Sequence, residues 1–134
     1  MLAPAPPDSA DWIVIESTYG NRLHPPTDPR SELAAVLRRV IARKGVVVIP
    51  AFAVGRAQVL LHLISQLIEA GEIPPVPLYL NSPMASRVGE LYSEFSKLHR
   101  LRRHDLETMA RLTRTVDTVE ASKSLNRHKN TRSG

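Results

Sequence analysis

Three short segments hold the residue types that could do chemistry: Glu16-Ser-Thr-Tyr-Gly20, Pro50-Ala-Phe-Ala-Val-Gly-Arg56 and Asn81-Ser-Pro83. Each comes directly after an apolar run. Glu16 ends Trp12-Ile-Val-Ile15, where desolvating a carboxylate costs free energy unless it is paired. A carboxylate there repels phosphate and suits a histidine, a metal-bound water or a sugar hydroxyl. The plainer partner is the set of backbone N–H groups in the following turn. Gly55-Arg56 opens a helix, whose first N–H groups favour anions, and glycine lets a phosphate approach the backbone. Arg56 could add a bidentate contact, although a lone Gly-Arg at a helix start is more often a turn with a surface arginine. Neither a Walker sequence nor a Gly-x-Gly-x-x-Gly is present. His24, His62, His99, His104 and His128 include no pair at the four-residue helical spacing that puts two metal ligands on one face. No nucleophile triad can be chosen from spacing alone.

The elements that must position these segments alternate between strand and helix. Trp12–Ile15, Val46–Ile49 and Val76–Leu80 are unbroken apolar runs suited to buried strands. Pro77 makes the third an edge or a strand start, and Thr115–Val119 is a fourth candidate. Asp28 before Pro29 predicts a helix ended by Gly45, with Leu33, Val36, Leu37, Val40 and Ile41 as its stripe. A second helix is predicted over 56–70, with Gln58, His62, Ser65, Gln66 and Glu69 on its polar face. Ser82 and Pro83 start a third, running to about Leu98. His104–Leu112 forms a fourth, and Ser122–Asn126 a short helical turn. The fold class is therefore α/β: a three-layer, Rossmann-like domain with a mostly parallel sheet of about four strands flanked by helices. Ligands of such sheets bind beyond the carboxyl ends of the strands, where all three polar segments are expected to converge. Residues 1–10 read as an extended lead-in, 11–126 as the domain and 127–134 as a polar basic tail that frays.

Composition narrows the function classes. With 134 residues the chain makes one compact domain, and without cysteine it has no disulfide scaffold, thiolate zinc site or cysteine nucleophile. The longest apolar stretch, Gly45–Val54, is far short of a membrane span, and the start of the chain does not read as a signal peptide. No membrane partner is expected, and a reducing, cytoplasmic setting fits. Residues 1–80 hold seven Lys/Arg and seven Asp/Glu, whereas residues 81–134 hold eleven against six and supply the whole net charge of +5. A basic half suggests RNA or DNA, or else a solvated face with a loose tail. Aromatic content of 4% argues against a base-stacking platform.

Glu16-Ser-Thr-Tyr-Gly-Asn-Arg-Leu-His24 and Ile49-Pro-Ala-Phe-Ala-Val-Gly-Arg-Ala-Gln58 resemble the β-CASP group of metallo-β-lactamase-fold RNA-processing nucleases. Tyr79-Leu-Asn-Ser-Pro-Met-Ala85 and Val119-Glu-Ala-Ser-Lys-Ser-Leu-Asn126 are similar to its bacterial branch of RNA-metabolising metallo-hydrolases and exonucleases. The resemblance runs from about Asp11 to Asn126. It implies that Glu16 lies beside a dinuclear zinc site of the parent enzyme and orients an active-site histidine without binding metal itself. It further implies that Ser17, Thr18, Tyr19, Arg22, His24, Gly55, Arg56 and Ser82 line a cleft through which the nucleic-acid backbone passes. The His-x-His-x-Asp-His motif and the further histidines that hold zinc in the family are absent. No metal ligand and no cofactor are therefore assigned to this chain, and dinuclear zinc is expected in the full-length parent.

The resemblance thus implies a cap domain that clamps RNA over the dinuclear site of a metallo-β-lactamase catalytic domain of the same parent. The chain is expected to be inactive alone, being either a piece cut at the domain boundary or the product of a truncated reading frame. Two alternatives stay open. One is a freestanding α/β module that binds a nucleotide or phosphate compound at the same rim. The other is a structural domain that forms a homodimer through the apolar face.

Overall fold

The computed structural model describes residues 5–23 and 25–131. In chain order it contains α1 (Pro29–Ala42), α2 (Arg56–Glu69), β1 (Leu78–Leu80), α3 (Pro83–Glu94), a 3-10 turn (Ser96–Leu98), α4 (Arg103–Leu112), β2 (Thr113–Thr115) and α5 (Val119–Thr131). β1 and β2 pair in parallel with Leu78 opposite Thr113 and Leu80 opposite Thr115, and α3 and α4 form the crossover between them. Among the described residues the architecture is α/β, with five α-helices and a small parallel sheet of two strands.

Helix starts follow the caps. Asp28 accepts from the N–H groups of Arg30 and Ser31, and Ser82 accepts from Ala85 N–H, each with proline in the first turn. The end of α1 differs from expectation. Lys44, not Gly45, takes the left-handed conformation (φ 57°), and Gly45 N–H bonds Val40 C=O one residue later. Glycine serves there for close approach, since a Cβ on Gly45 would lie 2.9 Å from Val40 Cγ1.

The core lies between α1 and α2: Ala34 and Leu37 meet Ile64, Leu67 and Ile73, with Val47 and Leu78 packed against them. Outside it, Glu72 is clasped by Arg30 and by Arg38, whose Nη2 lies 2.9 Å from its carboxylate.

Two of the four expected strands form. The third apolar run is a strand only from Leu78, after Pro77, which has no N–H to give a ladder. The fourth falls earlier, at Thr113–Thr115, because Thr118 starts α5: its hydroxyl accepts from Ala121 N–H at 3.1 Å. α5 then runs beyond Asn126 into the segment expected to fray. Among the described residues Val46–Ile49 lies against the core through Val47 but makes no ladder, and Trp12–Ile15 has no regular structure and is exposed. Apolar residues alternate onto both faces of a strand, so a run apolar throughout needs neighbours on both edges and cover on both faces. Among the described residues Trp12–Ile15 has neither.

The face of α2 read as polar is partly buried. Gln58 and Ser65 are each 2% exposed. At spacings of three and four, Gln58, His62, Ser65 and Glu69 form a second stripe, whose Glu69 meets α4 through Thr108 and His104.

Candidate functional site

The segment from Phe52 to Arg56 is a tight turn feeding α2. Gly55, with φ 78° and ψ −63°, sits at the centre of a three-residue turn closed by Arg56 N–H to Val54 C=O at 3.0 Å. This is the left-handed form of the γ-turn, rare and strained for residues with a Cβ. Ala57 N–H then bonds Phe52 C=O at 3.2 Å. The turn projects Arg56 into solvent at the positive end of the α2 dipole, with its guanidinium 5.7 Å from the centroid of the Phe52 ring. The Arg56 and Ala57 N–H groups are taken up within the turn, so what this site offers a phosphate oxygen is the exposed guanidinium against the aromatic face.

Gln58 joins this turn to the next rim segment. Its Nε2 donates to Ala53 C=O at 3.1 Å and lies 3.5 Å from Ala85 C=O, in the first turn of α3. The structure thus brings Gly55 and Arg56 into one assembly with the Ser82-capped start of α3. Ser82 itself is spent on its cap.

Beyond the carboxyl ends of β1 and β2 lies a shallow cavity of about 260 Å³, lined by Asn81, Asp117, Thr118, Ser122 and Lys123 among others. Asn81 Nδ2 donates to Ser122 Oγ at 3.0 Å, and Ser86 Oγ to Asp117 at 2.8 Å. Asn81 stood in a singled-out segment. Gln58, Ser122 and Lys123 carried no functional role in the sequence reading.

The Glu16 segment is not drawn into this assembly. Glu16 Oε1 accepts from Thr18 N–H at 2.7 Å, and the Thr18 hydroxyl and N–H hold its carboxyl below the usual carboxylate range. The carboxylate is therefore paired by the turn that follows it, the plainer of the partners considered from sequence. Ser17 C=O accepts from Gly20 N–H, Tyr19 C=O from Arg22 N–H, and the Arg22 guanidinium lies 5.7 Å from the Tyr19 ring centroid. These bonds are local, and every side chain from Glu16 to Arg22 is exposed. His24 lies outside the described residues.

Among the described residues no three His, Asp or Glu side chains come together to hold a metal ion. The described residues thus offer no fitting ligand set for the zinc that the resemblance implies.

A family model described as the Beta-Casp domain matches residues 57–133. A ribonuclease of Thermus thermophilus is 38% identical over 132 residues, covering 92% of this chain and 30% of that protein. Subunit 3 of the cleavage and polyadenylation specificity factor of Dictyostelium discoideum is 35% identical over 97 residues, 71% of this chain and 12% of its own. The transcription termination factor FttA of Methanosarcina mazei is 42% identical over 74 residues, 53% of this chain and 12% of its own. The chain spans less than a third of the length of these relatives. No solved structure gives a significant match.

Proposed function

The chain belongs to the β-CASP family, and on that premise we propose that it is the cap domain of a zinc-dependent metallo-β-lactamase-fold ribonuclease. In this reading the domain clamps the RNA backbone while a catalytic domain of the same polypeptide holds the metal and cuts the phosphodiester bond. The observation that carries the RNA contact is Arg56, exposed at the N-terminus of α2 on a rigid turn beside the start of α3. The names of the relatives, a ribonuclease and a cleavage factor among them, support RNA as the polyanion. In the longer protein, Trp12–Ile15 and Val46–Ile49 would complete a sheet of about four strands, Glu16 would turn from Thr18 towards the active site, and the cytoplasm would be the working compartment.

The reading is tested by titrating fluorescent single-stranded RNA with the chain at several salt concentrations. Each phosphate neutralised should steepen the slope of log K against log salt by about 0.7. Binding that ignores salt would sink the clamp. The runner-up, a freestanding nucleotide or phosphate site, rests on the cavity of about 260 Å³ beyond the strand ends. That volume is below the roughly 300–1,000 Å³ of small-molecule pockets, and a mononucleotide titration without heat would remove it.

A further inference from the structure

We propose that Gln58 is a positioning residue for Arg56, tying the turn that presents the guanidinium to the first turn of α3. This inference rests on the reading of Arg56 as an RNA contact.

Three observations carry it. Both neighbours of the Gln58 amide, Ala53 O and Ala85 O, are carbonyl oxygens that can only accept, so the NH2 group must face them and the side chain has one orientation. The price of that orientation is visible: Gln58 is 2% exposed, and its Oε1 has no hydrogen-bond partner among the described residues. An apolar side chain of the same length would fill the space without burying an unpaired oxygen. What it would lack are the two donors, so the amide is placed for its bonds and not for packing. Finally, the two carbonyls belong to different elements. Ala53 lies inside the turn whose backbone bonds run from Phe52 to Ala57, and Ala85 is the residue that Ser82 caps. A single side chain thus holds two rim segments in register, one of which carries the exposed arginine.

The consequence is that removing the donors should release Arg56 without touching its charge. The test compares Arg56→Ala, Gln58→Met and the double variant in RNA titrations across salt, each with its fold checked by circular dichroism. Arg56→Ala should lower the salt slope by about 0.7, the contribution of one phosphate contact on a single strand. Gln58→Met should lower it by a similar amount, and the double variant should bind no more weakly than Arg56→Ala. A folded Gln58→Met with the wild-type slope, or a double variant with the full sum of both losses, overturns the proposal alone. An Arg56→Ala variant that binds like wild type overturns both this proposal and the RNA-contact reading beneath it. If Gln58→Met does not fold, the wild-type chain decides by NMR. Its Gln58 side-chain amide protons should be well separated, slow to exchange and close to Ala85, and a freely exchanging amide overturns the proposal.

Discussion

The Thr108 hydroxyl on α4 donates to Glu69 Oε1 on α2 at 2.8 Å, and His104 Nε2 reaches the same oxygen at 3.1 Å. Thr108 is buried and Glu69 exposed, so the bond is shielded on one side. It is the polar seam between the helix that starts at Arg56 and the helix that leads into β2. A hydrogen bond to a charged group contributes about 1.5–3 kcal/mol, and partial exposure with a second donor present puts this one at the low end. Thr108→Val should therefore cost about 1–2 kcal/mol in urea unfolding, and Thr108→Ser should recover most of it. Equal loss in both variants would mean that the methyl group, not the hydroxyl, supplies the stability.

The next residue pair gives the chain an acid limb. Asp105 takes two bonds from the Arg102 guanidinium, at 2.9 and 3.0 Å, and one from the Arg102 N–H at 2.9 Å. The guanidinium bonds lower its pKa first, burial opposes them, and the N–H and the charges of Arg102 and His62 assist, leaving a value of about 2 against an ordinary 3.8. The folded value lies below the unfolded one. The stability is therefore complete above about 3.8 and is lost as the pH falls from there towards 2. Linkage puts it at about 2 kcal/mol, reduced by screening because Arg102 is 75% exposed. Asp105→Asn should flatten stability across that window while lowering it at neutral pH. An unchanged acid limb in Asp105→Asn would show that other carboxylates set it.

Much of the helical frame was legible because its signals are local. Asp28-Pro29 and Ser82-Pro83 are caps that need no distant partner, and both helices begin where those pairs place them. Strands are different, because a ladder belongs to two segments. Trp12–Ile15 and Val46–Ile49 have the composition of buried strands and find no ladder partner among the described residues. α5 was legible only as a short turn because it is polar, so periodicity said little. The motif around Gly55-Arg56 stood out in the sequence. The bond from Gln58 to Ala85, across 27 positions, did not, since a glutamine on a mixed helix face reads as solvated until the neighbouring element is known.

The backbone of Gly55 makes a sharper prediction than its side-chain space. A Cβ there would meet nothing within 4 Å, so an alanine is not excluded by contact. It is opposed by conformation, with φ at 78° and ψ at −63°, which should cost on the order of 1–3 kcal/mol. Gly55→Ala should lower stability by that amount or relax the turn. In the second case Arg56 N–H leaves Val54 C=O and RNA affinity falls with the salt slope. A variant with wild-type stability and wild-type RNA binding would show that the turn is not held as described.

The exposed run at Trp12–Ile15 predicts how the chain behaves alone. Trp12 is 91%, Ile13 77%, Val14 98% and Ile15 74% exposed. Fully burying a side chain of this kind is worth about 1.5–3 kcal/mol, so the run is a strong driver of association. The single tryptophan should fluoresce as a solvated indole, be quenched freely by acrylamide, and shift to the blue in the longer polypeptide where the run is proposed to join a sheet. Val14→Lys should reduce aggregation of the isolated chain and leave its unfolding midpoint unchanged, since Val14 contributes nothing to the α1–α2 core. In the longer protein the same change should be severely destabilising, because it would place a lysine inside a sheet covered on both faces. A tryptophan shielded from quencher in the isolated chain would show that these residues already have a partner within it.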